Sequence, residues 1–201
     1  MQDPLLSQTR WLAAQPPMAF QLPSAQVRNV LLDAGSLTRR LQRESHHRLQ
    51  VRILREGPTR PSLPEAQALG LNPRQLAWGR EILLCAGDTP WVRARTLFPL
   101  APAQGESGRF RQLGEKPLGL VLFQEPGWQR SAFRIGRVRN PDSPGSTWAR
   151  RSSFQRGPDR LLITEWFFPA YWAQTAATPP DHSDRTRESR SSDCLLSEAP
   201  L

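Results

Sequence analysis

Leu76-Ala-Trp-Gly-Arg-Glu-Ile-Leu-Leu-Cys-Ala86, then Gly87-Asp-Thr-Pro90, then Trp91-Val-Arg-Ala-Arg-Thr-Leu-Phe-Pro99: two apolar runs meet across four turn-forming residues. Runs of this length, rich in aliphatic and aromatic residues and separated by Gly, Asp and Pro, predict two strands joined as a hairpin. Working outward, the same pattern recurs. Thr147 to Gln155 and Arg160 to Phe168 flank Gly157-Pro-Asp159, which predicts a second hairpin. Leu49, Val51 and Ile53 alternate with Arg48, Gln50 and Arg52, so a strand is expected there, ending at Arg55-Glu56-Gly57. Phe133 to Val138 reads as one more strand. Strands joined by hairpins form an antiparallel sheet, and helices placed between them make the class α+β. Strand and helix do not alternate regularly, which argues against a doubly wound parallel sheet.

The helices are signalled by caps. Ser24 can cap a helix reaching Leu32, and Ser36 a second one through about Glu44, with Leu37 and Leu41 on one face. Pro64 can start a single helical turn. Gly108 to Phe123 reads as helix in two pieces, broken at Gly114 and restarted at Pro117. From Ala173 to Leu201 the composition turns polar, with five acids, three arginines and only Cys194-Leu-Leu196 as an apolar patch. Such a segment buries too little to offset its ordering entropy. The expected organisation is an N-terminal arm over 1–23, one folded domain over 24–172 and a disordered polar tail over 173–201.

Composition narrows the function classes. The chain has 201 residues, enough for one core, and a net charge of +9. Lys116 is the only lysine, and the arginines are scattered rather than blocked into a run. That favours an anionic small molecule over nucleic acid as partner. Nothing near the N-terminus resembles a signal peptide, and the apolar stretch Leu118 to Phe123 is too short to span a bilayer. A soluble, cytoplasmic protein is expected. Cys85 sits in an apolar run and Cys194 in the polar tail, so no disulfide is expected between them. His46 and His47 are adjacent and diverge on either regular element, and no other His/Cys spacing fits a metal. No metal and no cofactor are expected.

Two charges break the strand pattern. Trp78, Arg80, Ile82 and Leu84 share one face of their strand, and Leu161, Ile163, Glu165 and Phe167 share one face of theirs. Arg80 and Glu165 are thus lone charges on apolar faces, and a buried ion needs a partner. Either they pair within the core, or they face a small enclosed pocket. In the second case Arg80 holds a carboxylate with its planar fork and Glu165 meets a hydroxyl. Glu81 falls on the opposite face, where an edge or surface ion pair with Arg93 or Arg95 is expected. No Ser/His/Asp or Cys/His set and no phosphate-binding glycine loop is present.

In order and spacing, Ile53-Leu-Arg-Glu-Gly57, Arg80-Glu-Ile-Leu-Leu-Cys-Ala86, Pro90-Trp91, Arg95-Thr96, Leu113-Gly114, Pro117-Leu-Gly119, Ile135-Gly-Arg137, Trp148-Ala-Arg-Arg-Ser152 and Leu162-Ile-Thr-Glu-Trp-Phe-Phe-Pro169 resemble the chorismate pyruvate-lyase family. The resemblance covers about Ser24 to Ala170. It implies a monomer whose antiparallel sheet carries helices on one side, with a ligand site buried beneath helical flaps. It also implies pyruvate elimination from chorismate to give 4-hydroxybenzoate for ubiquinone biosynthesis. By position, the family's ligand contacts fall on Arg80, Leu118 and Glu165, and on Leu37 where the family usually has methionine. Ala94 stands where the family pattern has glycine. The expected catalytic pair is Arg80 and Glu165, with Leu37 and Leu118 as apolar walls. A second class shares the fold, the effector-binding domain of certain bacterial transcription regulators, which would sense a small acid without catalysis. Those regulators carry an N-terminal winged helix, and the residues before Ser24 are too few for one, given a domain minimum of roughly 50.

Overall fold

The computed structural model describes residues 9–14, 22–100, 110–139 and 146–177. In chain order the elements are β1 (Leu12–Ala13), α1 (Ala25–Leu31), α2 (Leu37–Glu44), β2 (Leu49–Thr59), α3 (Leu63–Leu69), β3 (Ala77–Ala86), β4 (Thr89–Pro99), α4 (Leu118–Gln124), β5 (Gln129–Arg130), β6 (Arg134–Arg139), β7 (Ser146–Arg156), β8 (Asp159–Phe167) and α5 (Pro169–Ala177). The strands form one eight-stranded sheet in the order β1-β6-β7-β8-β4-β3-β2, with β5 added on β7. Every pairing is antiparallel. Both expected hairpins are present, and Gly87 opens the first turn at φ +57°, a left-handed backbone that glycine adopts without steric cost.

Strand β2 does not stop at Arg55-Glu56-Gly57 but runs on to Thr59. A bulge between Ile53 and Arg55 inserts Leu54, so Ile53 pairs with Ile82 while Glu56, rather than Arg55, comes opposite Arg80. The extra residue therefore converts an Arg–Arg juxtaposition into an Arg–Glu one. The bulged segment pays in burial: Ile53 and Leu54 are both largely exposed on this edge strand.

One sheet face, called near here, carries Ile82, Leu84, Ala94, Glu165 and Phe167. The serine caps form as the sequence predicts: Ser24 Oγ accepts from the Val27 N–H at 3.1 Å and Ser36 Oγ from the Arg39 N–H at 3.4 Å. Helices α1, α2 and α5 then bury Val30, Leu31, Leu37, Leu41 and Tyr171 against Ile82, Leu84, Val92 and Phe167. Helix α4 closes the other half of the near face with Leu118 and Leu122 against Phe98, Phe154 and Leu161. Each large apolar side chain removed from water in this way contributes roughly 2 kcal/mol.

Four of the five described helices lie on the near face, as the expected arrangement has them; α3 departs from it and lies on the far face, where Leu69 packs on Ala77, Leu97 and Leu162. That helix is longer than the single turn expected at Pro64, because Glu65 accepts the Ser62 N–H at 2.8 Å and secures its start. At the C-terminus, α5 carries regular structure past Trp172 to Ala177. The expected tail beyond it, Cys194, and the Gly108 end of the two-piece helix lie outside the described residues. The second piece of that helix is α4, with Pro117 as its N-cap. Among the described residues no helix is long and apolar enough to cross a membrane.

Candidate active site

Between the near face and the starts of α2 and α4 lies an internal cavity of about 40 Å³. Its floor is Ile82, Ala94, Thr96, Ile163 and Glu165; its lid is Leu37, Leu118 and Leu122, with Arg130 and Phe154 at one side. Cross-strand register explains the floor. Ile82, Ala94 and Glu165 lie in one row across β3, β4 and β8, and Arg150 continues that row on β7. Arg80, Thr96 and Ile163 form the adjacent row. Leu37 and Leu118 each open a helix, where backbone N–H groups have no partner within the helix. The two helix starts approach closely, and Gly119 permits it: a Cβ there would sit 2.8 Å from Thr38 Oγ1.

Three of the four expected site residues, Leu37, Leu118 and Glu165, line the cavity. Glu165 is held by Arg150, whose Nε donates to it at 2.6 Å. The guanidinium of Arg150 is fully buried and also donates to the carbonyls of Val30 and Asp33, at 2.8 and 3.1 Å, which ties α1 and the turn after it to the sheet. Asp33 belongs to the same cluster. Burial alone would raise its carboxyl, but the Gly35 N–H and the Arg40 guanidinium hold it below the ordinary carboxylate value.

Arg80 is buried on the same sheet face but is not among the lining residues. Its Nη1 donates to Glu56, and its Nη2 to the carbonyls of Gly114 and Lys116, at 2.6 and 3.3 Å. It thus fastens the loop that leads into Pro117 and the lid. The pairing of Arg80 with Glu165 that one sequence reading allowed does not occur: each finds another partner, Glu56 and Arg150. Ala94 lines the cavity, so its methyl group occupies space there.

On the far face, Glu81 pairs with both Arg93 (2.6 Å) and Arg95, and Arg95 pairs in turn with Glu65 of α3 at 3.0 Å. The partners are those expected, but Glu81, Arg95 and Glu65 are buried rather than at a surface, because α3 lies over them. Burial works against the charge on Glu81, and the two guanidinium groups outweigh it, leaving its carboxyl below the ordinary value.

The fold and this cavity define a class: an α+β domain that encloses a small space with apolar walls and fixed charges between one sheet face and two short helices. The match is specific, since the family described as chorismate lyase covers residues 5–177, and the chain belongs to that family. It is similar to a probable chorismate pyruvate-lyase of Marinobacter nauticus, 46% identical over 67% of this chain and 72% of that one. It is similar also to the chorismate pyruvate-lyase of Erwinia tasmaniensis, 38% identical over 83% of this chain and 90% of that one. Among solved structures, a GntR family transcriptional regulator from Bacillus cereus matches 61% of this chain and 93% of its own, at 12% identity and a TM-score of 0.48.

Proposed function

We propose that this protein is a chorismate pyruvate-lyase. It breaks the ether C–O bond of the enolpyruvyl group; the hydroxyl-bearing ring carbon loses a proton, the enolpyruvyl methylene gains one, and 4-hydroxybenzoate and pyruvate result. Aromatisation drives the reaction, so the demands on the protein are orientation, exclusion of water and one proton relocation. The observation that carries this reading is the half-buried Glu165 carboxylate, fixed by Arg150 beneath a lid of Leu37 and Leu118, in a chain of the chorismate lyase family.

In this reading Glu165 receives the ring hydroxyl, and Arg80, one row along the same face, takes the ring carboxylate. Leu37 and Leu118 form the apolar walls that keep water out. A volume of about 40 Å³ holds a few waters and not a six-membered ring. Substrate entry therefore requires α2 and α4 to part from the sheet. Arg80, which ties the loop before α4, then couples ligand capture to lid position. The reading carries with it a monomeric, cytoplasmic enzyme that supplies 4-hydroxybenzoate for ubiquinone. Incubation with chorismate, following 4-hydroxybenzoate by absorbance and pyruvate by a coupled assay, tests it: equal amounts of both are expected, and absence of both overturns it.

A further inference from the structure

Not every arginine around the cavity has a carboxylate paired with it among the described residues. Arg150 is matched by Glu165 and Arg80 by Glu56, which leaves Arg130. This residue lines the cavity from β5, with its guanidinium carbon 4.8, 4.9 and 4.7 Å from the ring centroids of Phe123, Phe133 and Phe154. Its Nη1 donates to the Ala34 carbonyl at 2.9 Å. Its Nε is buried without a hydrogen-bond partner, and among the described residues no carboxylate forms an ion pair with it. Desolvation lowers its pKa to about 10, which still leaves it charged at neutral pH. Three aromatic faces stabilise a cation, but they do not replace a counter-ion at the free edge of the fork.

We infer that Arg130 is a second carboxylate subsite and takes the enolpyruvyl carboxylate of the substrate. The inference rests on the lyase reading above. A ring laid from Glu165 towards Arg80 has its hydroxyl at the Glu165 end and its carboxylate at the opposite end. The enolpyruvyl ether is on the carbon next to the hydroxyl, so its carboxylate also lies at the Glu165 end. Arg130 borders that end, and among the described carboxylates Glu165 raises its pKa most. The Nε–Nη2 edge, which makes no hydrogen bond among the described residues, matches two carboxylate oxygens side-on. No feature of a two-residue strand would mark this arginine in the sequence.

The test compares a ligand with both carboxylates and one that keeps only the ring carboxylate. Arg130→Met should lower kcat/KM for chorismate roughly 10- to 100-fold, the range for losing a charge-assisted hydrogen bond. Inhibition by 4-hydroxybenzoate, which lacks the enolpyruvyl group, should change less than about twofold. Arg130→Lys should recover part of the loss, since it restores charge without the fork. Near-ultraviolet circular dichroism checks that each variant is folded. Wild-type kcat/KM in the methionine variant overturns the assignment. Equal weakening of chorismate and 4-hydroxybenzoate also overturns it, because it assigns Arg130 to packing the aromatic cage. A wild-type protein inert toward chorismate overturns the lyase reading itself and the subsite with it.

Discussion

On the far face of the sheet, Arg93, Glu81, Arg95 and Glu65 form a chain in which two guanidinium groups meet two carboxylates. On the near face, Arg80 and Arg150 each meet one carboxylate, and Arg130 stands among aromatic rings with no carboxylate paired with it among the described residues. Both faces bury charge at similar depth, so burial alone does not distinguish structure from function. The far chain is closed upon itself and walled off by α3. The near charges surround a cavity, and one of their guanidinium groups, Arg130, has no carboxylate paired with it among the described residues, as a site for an organic anion requires. The far chain holds the fold by pairing within itself; Arg130, beside the cavity and unpaired with a carboxylate among the described residues, is available to a ligand.

The largest effect expected is on the far face. Arg95→Met leaves Glu65 and Glu81 buried around an apolar side chain and should cost about 3–5 kcal/mol of stability in urea unfolding. The protein that remains folded should keep its kcat. A small stability change beside a large loss of kcat would reverse the roles assigned to the two faces. On the near face, Arg80→Ala should lower kcat/KM roughly 10²- to 10³-fold with the fold intact, because both the ligand anchor and the tie to the Gly114–Lys116 loop are lost. Near-normal turnover would remove Arg80 from the site.

Glu165→Gln keeps the shape and a hydrogen-bonding group but removes the charge that Arg150 holds. A drop in kcat of about tenfold is expected for a positioning role, and a drop of about 10²-fold or more would assign proton transfer to the carboxylate. The smallest effect concerns acid. Glu81 has its pKa lowered in the folded state, so its ionised form stabilises the fold above the unfolded value of about 4.3, and that contribution is lost as pH falls through the lower folded value. Unfolding midpoints measured from pH 6 down to 3 should fall, and Glu81→Gln should flatten that fall.

Much of this was readable from residue order. Runs flanking turn-forming residues located β3, β4, β7 and β8, period-two alternation located β2, and the lone charges on apolar faces isolated Arg80 and Glu165. The same rule applied to β7, where Trp148, Arg150, Ser152 and Phe154 alternate, isolates Arg150 as well, the partner that positions Glu165. Helix α5 also has a sequence signal, Pro169 ahead of Ala170-Tyr-Trp-Ala-Gln, although the polar composition beyond it masks the helix. Other features have no local signal. Strand β1 is two residues long and exists because β6 offers it an edge at Ile135 and Arg134.

The sequence alone determined the α+β class, the hairpins, the serine caps and the side of each strand on which Arg80 and Glu165 stand, because these depend on spacing within one element. The partners of Arg80 and Glu165, and the burial of the Glu81 network, were decided only by the tertiary structure. A one-residue bulge brings Glu56 to Arg80, α3 turns an expected surface pair at Glu81 into a buried network, and β5 sets Arg130 beside the cavity. Buried charge is governed by distances of a few ångström between segments far apart in the chain, and register, bulges and helix placement set those distances.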